Sequence, residues 1–215
     1  MTLDAHKEYE DLKKARREAK ERFADVRRQL LEAPDAARCQ EILEGEKWLR
    51  ENPLVKTYLE HLAYELNSAR EYAKAEVVTL QLLGVLQEWH GTNSPPVLNQ
   101  LVELARIYRA QEQSANAERI YQYVLTLAID LGGLNPQDST VHMAAEGLAG
   151  LYREQGKDVQ AEDVLRRATL DVRAAFHDPT IFAAFLRTRA EFYRHAGKTT
   201  EAEATERLRR SISNE

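Results

Sequence analysis

The side chains in this sequence best suited to metal ligation or acid–base chemistry are six histidines, His6, His61, His90, His142, His177 and His195, and one cysteine, Cys39. A zinc site drawn from one helix needs its ligands three to five residues apart. No His-Glu-x-x-His motif occurs, and no two histidines stand at that spacing. Glu60-His61 with Glu65 is the nearest approach to a metal-binding cluster and reads as a solvated helix face. His142 and Glu146, four residues apart, read as an ordinary helix pair. Cys39 sits on an apolar stripe with no histidine beside it in sequence, so it reads as a small buried hydrophobe rather than a nucleophile. Gly132-Gly133 lacks the Lys-Ser/Thr and the preceding strand of a phosphate loop, and Ser94 lies in a loop without a motif. No catalytic residue, metal site or cofactor is expected, and the chain is not expected to be an enzyme.

Composition points the same way. The 215 residues carry 30 Lys+Arg against 35 Asp+Glu, a formal charge of −5, which excludes a protein dominated by attraction to nucleic-acid phosphates. Hydrophobic residues make up 43%, enough for a sizeable core. No apolar run approaches the roughly 18 residues of a membrane span. The densely charged first thirty residues do not read as a signal peptide. A lone cysteine leaves no internal disulfide framework. A cytoplasmic protein without nucleic-acid or membrane partners is expected.

The elements that would position any site follow from an internal repeat. Four segments align: LAYELNSAREYAKAE (62–76), LARIYRAQEQSANAE (104–118), LAGLYREQGKDVQAE (148–162) and RAEFYRHAGKTTEAE (189–203). Each ends in Ala-Glu, at offsets of 42, 44 and 41 residues. Each also holds an early alanine, Ala63, Ala105, Ala149 or Ala190, followed three residues on by Leu66, Tyr108, Tyr152 or Tyr193. A methyl at both alanine positions lets two helices approach to about 8–10 Å. Gly156 and Gly197 stand where a first helix must stop. Arg70 and Glu112 take that place in the first two copies, where a less ideal turn is expected. Punctuated loops follow at 90–96, 132–136 and 177–179. First helices are predicted at about 54–69, 96–111, 138–155 and 180–196, and second helices at about 72–90, 114–131, 158–176 and 199–213, with no strand.

These residues carry a resemblance. The phrase Leu148-Ala149-x-Leu151-Tyr152-Arg153-x-Gln155-Gly156-Lys157, with Ala161-Glu162 after it, resembles the tetratricopeptide repeat (TPR), and the period is similar to that of the long kinesin light chain-type repeats. The likeness covers residues 54–213. It implies an all-α fold, a right-handed superhelical solenoid of TPR-like helix hairpins. Residues 54–215 divide into four repeats at about 54–95, 96–137, 138–179 and 180–215, and residues 1–53 form an N-terminal helical extension.

Within that extension, residues 3–32 read as one long helix with Tyr9, Leu12, Ala19, Phe23, Val26 and Leu30 on a stripe that Arg16 interrupts. The stripe serves either as a cap on the first repeat or as a coiled-coil seam to a second copy. Nine Lys+Arg against eight Asp+Glu exclude a nucleic-acid arm. Residues 35–51 read as a further helix, so that 3–51 forms a degenerate extra hairpin. At the other end, Glu206 and Arg209 replace apolar residues of earlier second helices, as a polar terminal cap requires.

The resemblance also implies a concave groove lined by the first helices. Carried over position by position, the first copy contributes Thr57, Glu60, Tyr64 and Asn67, and the second Asn99, Val102, Arg106 and Arg109. The third contributes Met143, Glu146, Gly150 and Arg153, and the fourth Ala184, Arg187, Glu191 and Arg194. The arginines suggest a basic strip suited to carboxylates. The expected function is protein–protein interaction: an adaptor or scaffold holding a peptide or helical segment, acidic in character, in the groove. The alternatives are a self-assembling structural protein that uses the N-terminal helix, through which a homodimer would form, or a regulatory or accessory subunit of an enzyme complex. The Lys/Asn pair by which TPR co-chaperones clamp a terminal carboxylate is missing, as are the asparagines that kinesin light chain places before its Leu-Ala.

Overall fold

The computed structural model describes residues 3–130, 140–175 and 179–212. The expected loops at 132–136 and 177–178 lie outside the described residues. Ten α-helices follow one another, with no strand among the described residues: α1 (Leu3–Glu32), α2 (Ala36–Gly45), α3 (Val55–Ser68), α4 (Tyr72–His90), α5 (Pro95–Ala110), α6 (Ser114–Asp130), α7 (Thr140–Glu154), α8 (Asp158–Ala175), α9 (Pro179–His195) and α10 (Thr199–Ile212). The eight repeat helices fall within a residue or two of their expected bounds. The chain forms two compact units, Met1–Trp89 and His90–Glu215.

Local chemistry explains the bounds. Pro95 and Pro96 open α5, where a missing N–H costs nothing. Arg70, Glu112, Gly156 and Gly197 all adopt positive φ, between 62° and 72°. At each, the next residue's N–H reaches back five positions: Glu71 to Leu66, Gln113 to Tyr108, Lys157 to Tyr152 and Lys198 to Tyr193, at 2.8–2.9 Å. All four first helices thus end in the same Schellman closure. Arg70 and Glu112 were expected to give less ideal turns; they make the glycine geometry despite carrying a Cβ.

In the unit Met1–Trp89, α1 divides into two stretches. Phe23, Val26 and Leu30 are buried, and the Phe23 ring stacks on Tyr58 of α3 with centroids 4.4 Å apart. Lys74 of α4 donates to the Leu31 carbonyl. Residues 9–22 are exposed apart from half-buried Ala19. Asp35 caps α2 by accepting from the Arg38 N–H at 2.8 Å. The single helix expected over 35–51 is broken: α2 stops at Gly45, Glu46 leaves helical geometry, and Lys47–Arg50 form a 3₁₀ turn. Three interactions hold that break. The Glu46 carboxylate accepts from the Trp48 indole and from Arg22, and the Arg22 guanidinium lies 4.7 Å from the Trp48 ring.

In the unit His90–Glu215, consecutive helices pack pairwise from α5 to α10, and α7 also touches α5 and α9. The repeat alanines of these three hairpins, Ala105 and Ala117, Ala149 and Ala161, and Ala190 and Ala202, are all buried. Around them lies one core that includes Leu98, Val102, Tyr121, Leu148, Leu165 and Phe185. The Tyr121 ring lies against Gly147 so closely that a Cβ there would meet it at 2.4–2.7 Å.

Candidate partner-binding groove

The first helices α5, α7 and α9 carry the expected inner-face residues of the second to fourth repeats, and each position can be followed individually. Val102 does not belong to a groove: it is fully buried in the core. Met143 is half-buried against the same core. Asn99 accepts from the Thr140 hydroxyl one hairpin along. Arg106 pairs with Glu103 on its own helix at 3.3 Å, and Arg194 pairs with Glu206 at 3.6 Å.

Arg109 is committed to the next hairpin. Its guanidinium forks onto Glu154, Nε to Oε2 at 3.0 Å and Nη2 to Oε1 at 2.5 Å. It lies flat over Gly150, where a Cβ would come within 2.9 Å of Nη1. The two partners titrate as this fork demands. The hydrogen bond holds Glu154 below the usual carboxylate range, and the same bond raises Arg109 further.

Five inner-face positions from three successive hairpins meet at one pocket of about 200 Å³. Arg109, Glu146, Gly150, Arg153 and Glu191 line it, joined by Thr188, Phe192 and His195 among others. Among the described residues, Arg153, Glu146, Glu191 and His195 are exposed and make no ion pair or side-chain hydrogen bond. Arg187 is likewise exposed and unpaired, one turn before Glu191. Beneath the pocket's edge, His142 Nε2 sits 2.8 Å from Thr188 Oγ1, tying α7 to α9; burial lowers its pKa. His142 therefore bonds across helices rather than serving chiefly as the local partner of Glu146.

Tyr64 and Asn67 belong to α3 in the other unit. Tyr64 is 75% exposed and Asn67 half-buried. Among the described residues no three His, Cys, Asp or Glu side chains come together as metal ligands, and no helix is long and apolar enough to cross a membrane.

The glutamate of the recurring Ala-Glu accepts from the tyrosine of the following hairpin: Tyr152 donates to Glu118 at 2.8 Å and Tyr193 to Glu162 at 3.0 Å. Gln122 supports the first pair, and Lys198 the second.

No family model matches the chain, and no curated protein matches it. Solved structures do. The nearly identical TPR-like repeats described as a Podosopora anserina kinesin light chain match at 19% identity over 90% of this chain and 94% of theirs, with a TM-score of 0.57. A point variant of the same repeats matches at 0.59. BtubC (BKLC) from P. vanneervenii matches at 19% identity over 94% of this chain and 86% of its own, with a TM-score of 0.58. The chain has the TPR-like solenoid fold. In TPR terms α5, α7 and α9 are the first helices of their hairpins, and the pocket lies on the face that they share. At this identity the likeness concerns architecture alone, and function resides in the site that the fold carries.

Proposed function

We propose that the face shared by α5, α7 and α9 holds a segment of a partner protein, and that the chain is a non-enzymatic adaptor or scaffold. The supporting observation is the convergence of Arg109, Glu146, Gly150, Arg153 and Glu191, from three repeats, on one open pocket with Arg153 left unpaired. A peptide lying across parallel first helices meets equivalent positions in turn, as solenoid geometry provides. The acidic character expected of the segment now rests on Arg153 and Arg187, because Arg106, Arg109 and Arg194 already hold carboxylates of this chain. A cytoplasmic setting belongs to this reading, in keeping with a lone buried thiol.

The test is site-resolved crosslinking in native lysate. A photoreactive residue at position 184 on the groove face should yield an adduct that Arg153→Glu removes. The same probe at Val159 of α8, 83% exposed, should yield none. Equal adducts at both positions, or an adduct indifferent to Arg153→Glu, would overturn the reading.

A second reading, homodimerisation through α1, is favoured by one observation. Tyr9 and Leu12 are 57% and 59% exposed on a helical stretch, residues 9–22, that is exposed apart from Ala19. An isolated helix of that length is marginal in water, so a second copy of the stripe would stabilise it. Light scattering across concentrations should show a dimer for the full chain and a monomer for Tyr9→Glu/Leu12→Glu. A monomer in both removes this reading.

A further inference from the structure

The pocket's unpaired charges are not uniform, and their order along the helices has a chemical meaning. Glu146 stands at the start of the pocket on α7 and Glu191 in its middle on α9. Arg153 and His195 stand in the last turns of those two helices. Seven residues of α-helix separate Glu146 from Arg153, a rise of about 10 Å. Arg109, between them over Gly150, has its charge answered by Glu154. Arg187, one turn before Glu191, lies outside the lining. The free charges of the pocket are therefore the Glu146 carboxylate at one end, the Glu191 carboxylate in the middle and the Arg153 guanidinium at the other end.

We infer that the pocket takes a dipolar segment. One basic side chain of the ligand lies against Glu146, with Glu191 beside it towards the middle of the pocket, and one acidic side chain lies against Arg153, about 10 Å from Glu146. This rests on the groove reading above and narrows its ligand. A purely acidic segment would set a carboxylate against two unpaired carboxylates, and a purely basic one would set an ammonium against Arg153. Like charges brought together in a partly desolvated site cost binding energy, so the arrangement rejects both. In an extended chain, residues three apart span about 10 Å, so the two charges fit a Lys-x-x-Glu or Glu-x-x-Lys spacing.

The probes are blocked ten-residue Gly/Ser peptides that differ only in one pair of positions: Lys-x-x-Glu, Glu-x-x-Lys, Glu-x-x-Glu and Lys-x-x-Lys. Amide shifts of Gly150 and Glu191 in the full chain report binding. One of the two mixed peptides should saturate these shifts about tenfold more tightly than either single-sign peptide. In Glu146→Lys/Glu191→Lys the preference should pass to Glu-x-x-Glu, with the melting temperature held. If Glu-x-x-Glu shifts the same amides equally or better in the wild type, the dipolar inference falls while the groove reading stands. If no peptide shifts them, or the double variant keeps the wild-type order, the inference also falls. The crosslinking test above then decides the groove reading on its own.

Discussion

The Tyr152 hydroxyl donates to Glu118 Oε1 at 2.8 Å across 34 residues of sequence, and Tyr193 repeats the bond to Glu162 at 3.0 Å. Each bond links the second helix of one hairpin to the first helix of the next. Tyr121 contrasts with both. Among the described residues its buried hydroxyl has no hydrogen-bond partner, and burial pushes its pKa up to about 12.

Three conservative substitutions separate these roles. Tyr152→Phe and Tyr193→Phe should each lower stability by about 1 kcal/mol, the net worth of a hydrogen bond. Tyr121→Phe should be neutral or stabilising, because it deletes a desolvated group that has gained nothing. Urea melts of the three variants check this. A Tyr121→Phe loss equal to the other two would contradict it.

The shared turn geometry gives a second expectation. Arg70 and Glu112 hold φ of 63° and 62°, a region that costs a residue with a Cβ roughly 1 kcal/mol or more. Arg70→Gly and Glu112→Gly should therefore stabilise by about 0.5–1 kcal/mol, part of the gain being lost to backbone entropy. Gly156→Ala should destabilise by about 1 kcal/mol. Thermal denaturation of the three variants is the measurement, and a destabilised Glu112→Gly would refute the strain.

Acid should loosen the unit His90–Glu215. Glu154, Glu162 and Glu206 are held below the usual carboxylate range, chiefly by hydrogen bonds from Arg109, Lys198 and Arg209. A folded pKa below the unfolded one gives stability that is present above the unfolded value, about 4.3 for glutamate. That stability is lost as pH falls through the lower folded value. Urea midpoints should hold between pH 7 and about 5.5 and fall below about 4.5. Arg109→Met should shrink the fall; an unchanged profile in that variant would show that the fork contributes nothing.

Cys39 should be inert in the native protein. It is fully buried, donates to the Leu30 carbonyl at 3.5 Å, and has its thiol pKa raised by burial. Thiol reagents at neutral pH should label it only in denaturant. Rapid native labelling would mean that α1 and α2 separate readily.

Much of the fold could be read from the sequence, because its determinants are local. Helix bounds at Pro95, Gly156 and Gly197, and the alanine pairs, act within one hairpin. The break at Glu46 could not be read in the same way, since it depends on Arg22 coming back to Trp48 from another helix. The groove was legible as a set of positions but not as a charge pattern. Arg109 finds Glu154 only when two hairpins stack, 45 residues apart in the chain, and that contact changes which arginines remain free. The recurring glutamate of Ala-Glu was visible four times over, yet its tyrosine partner lies in the neighbouring repeat, where sequence spacing alone does not point.

Matched charge reversals test the central claim most directly. Arg153→Glu alters the groove face, whereas Arg119→Glu alters an exposed residue of α6 outside the pocket lining. With the crosslinked partner in hand, Arg153→Glu should weaken its binding about tenfold or more while Arg119→Glu leaves it unchanged. Both variants should melt as the wild type does. Equal binding by the two variants would place the partner somewhere other than the face of α5, α7 and α9.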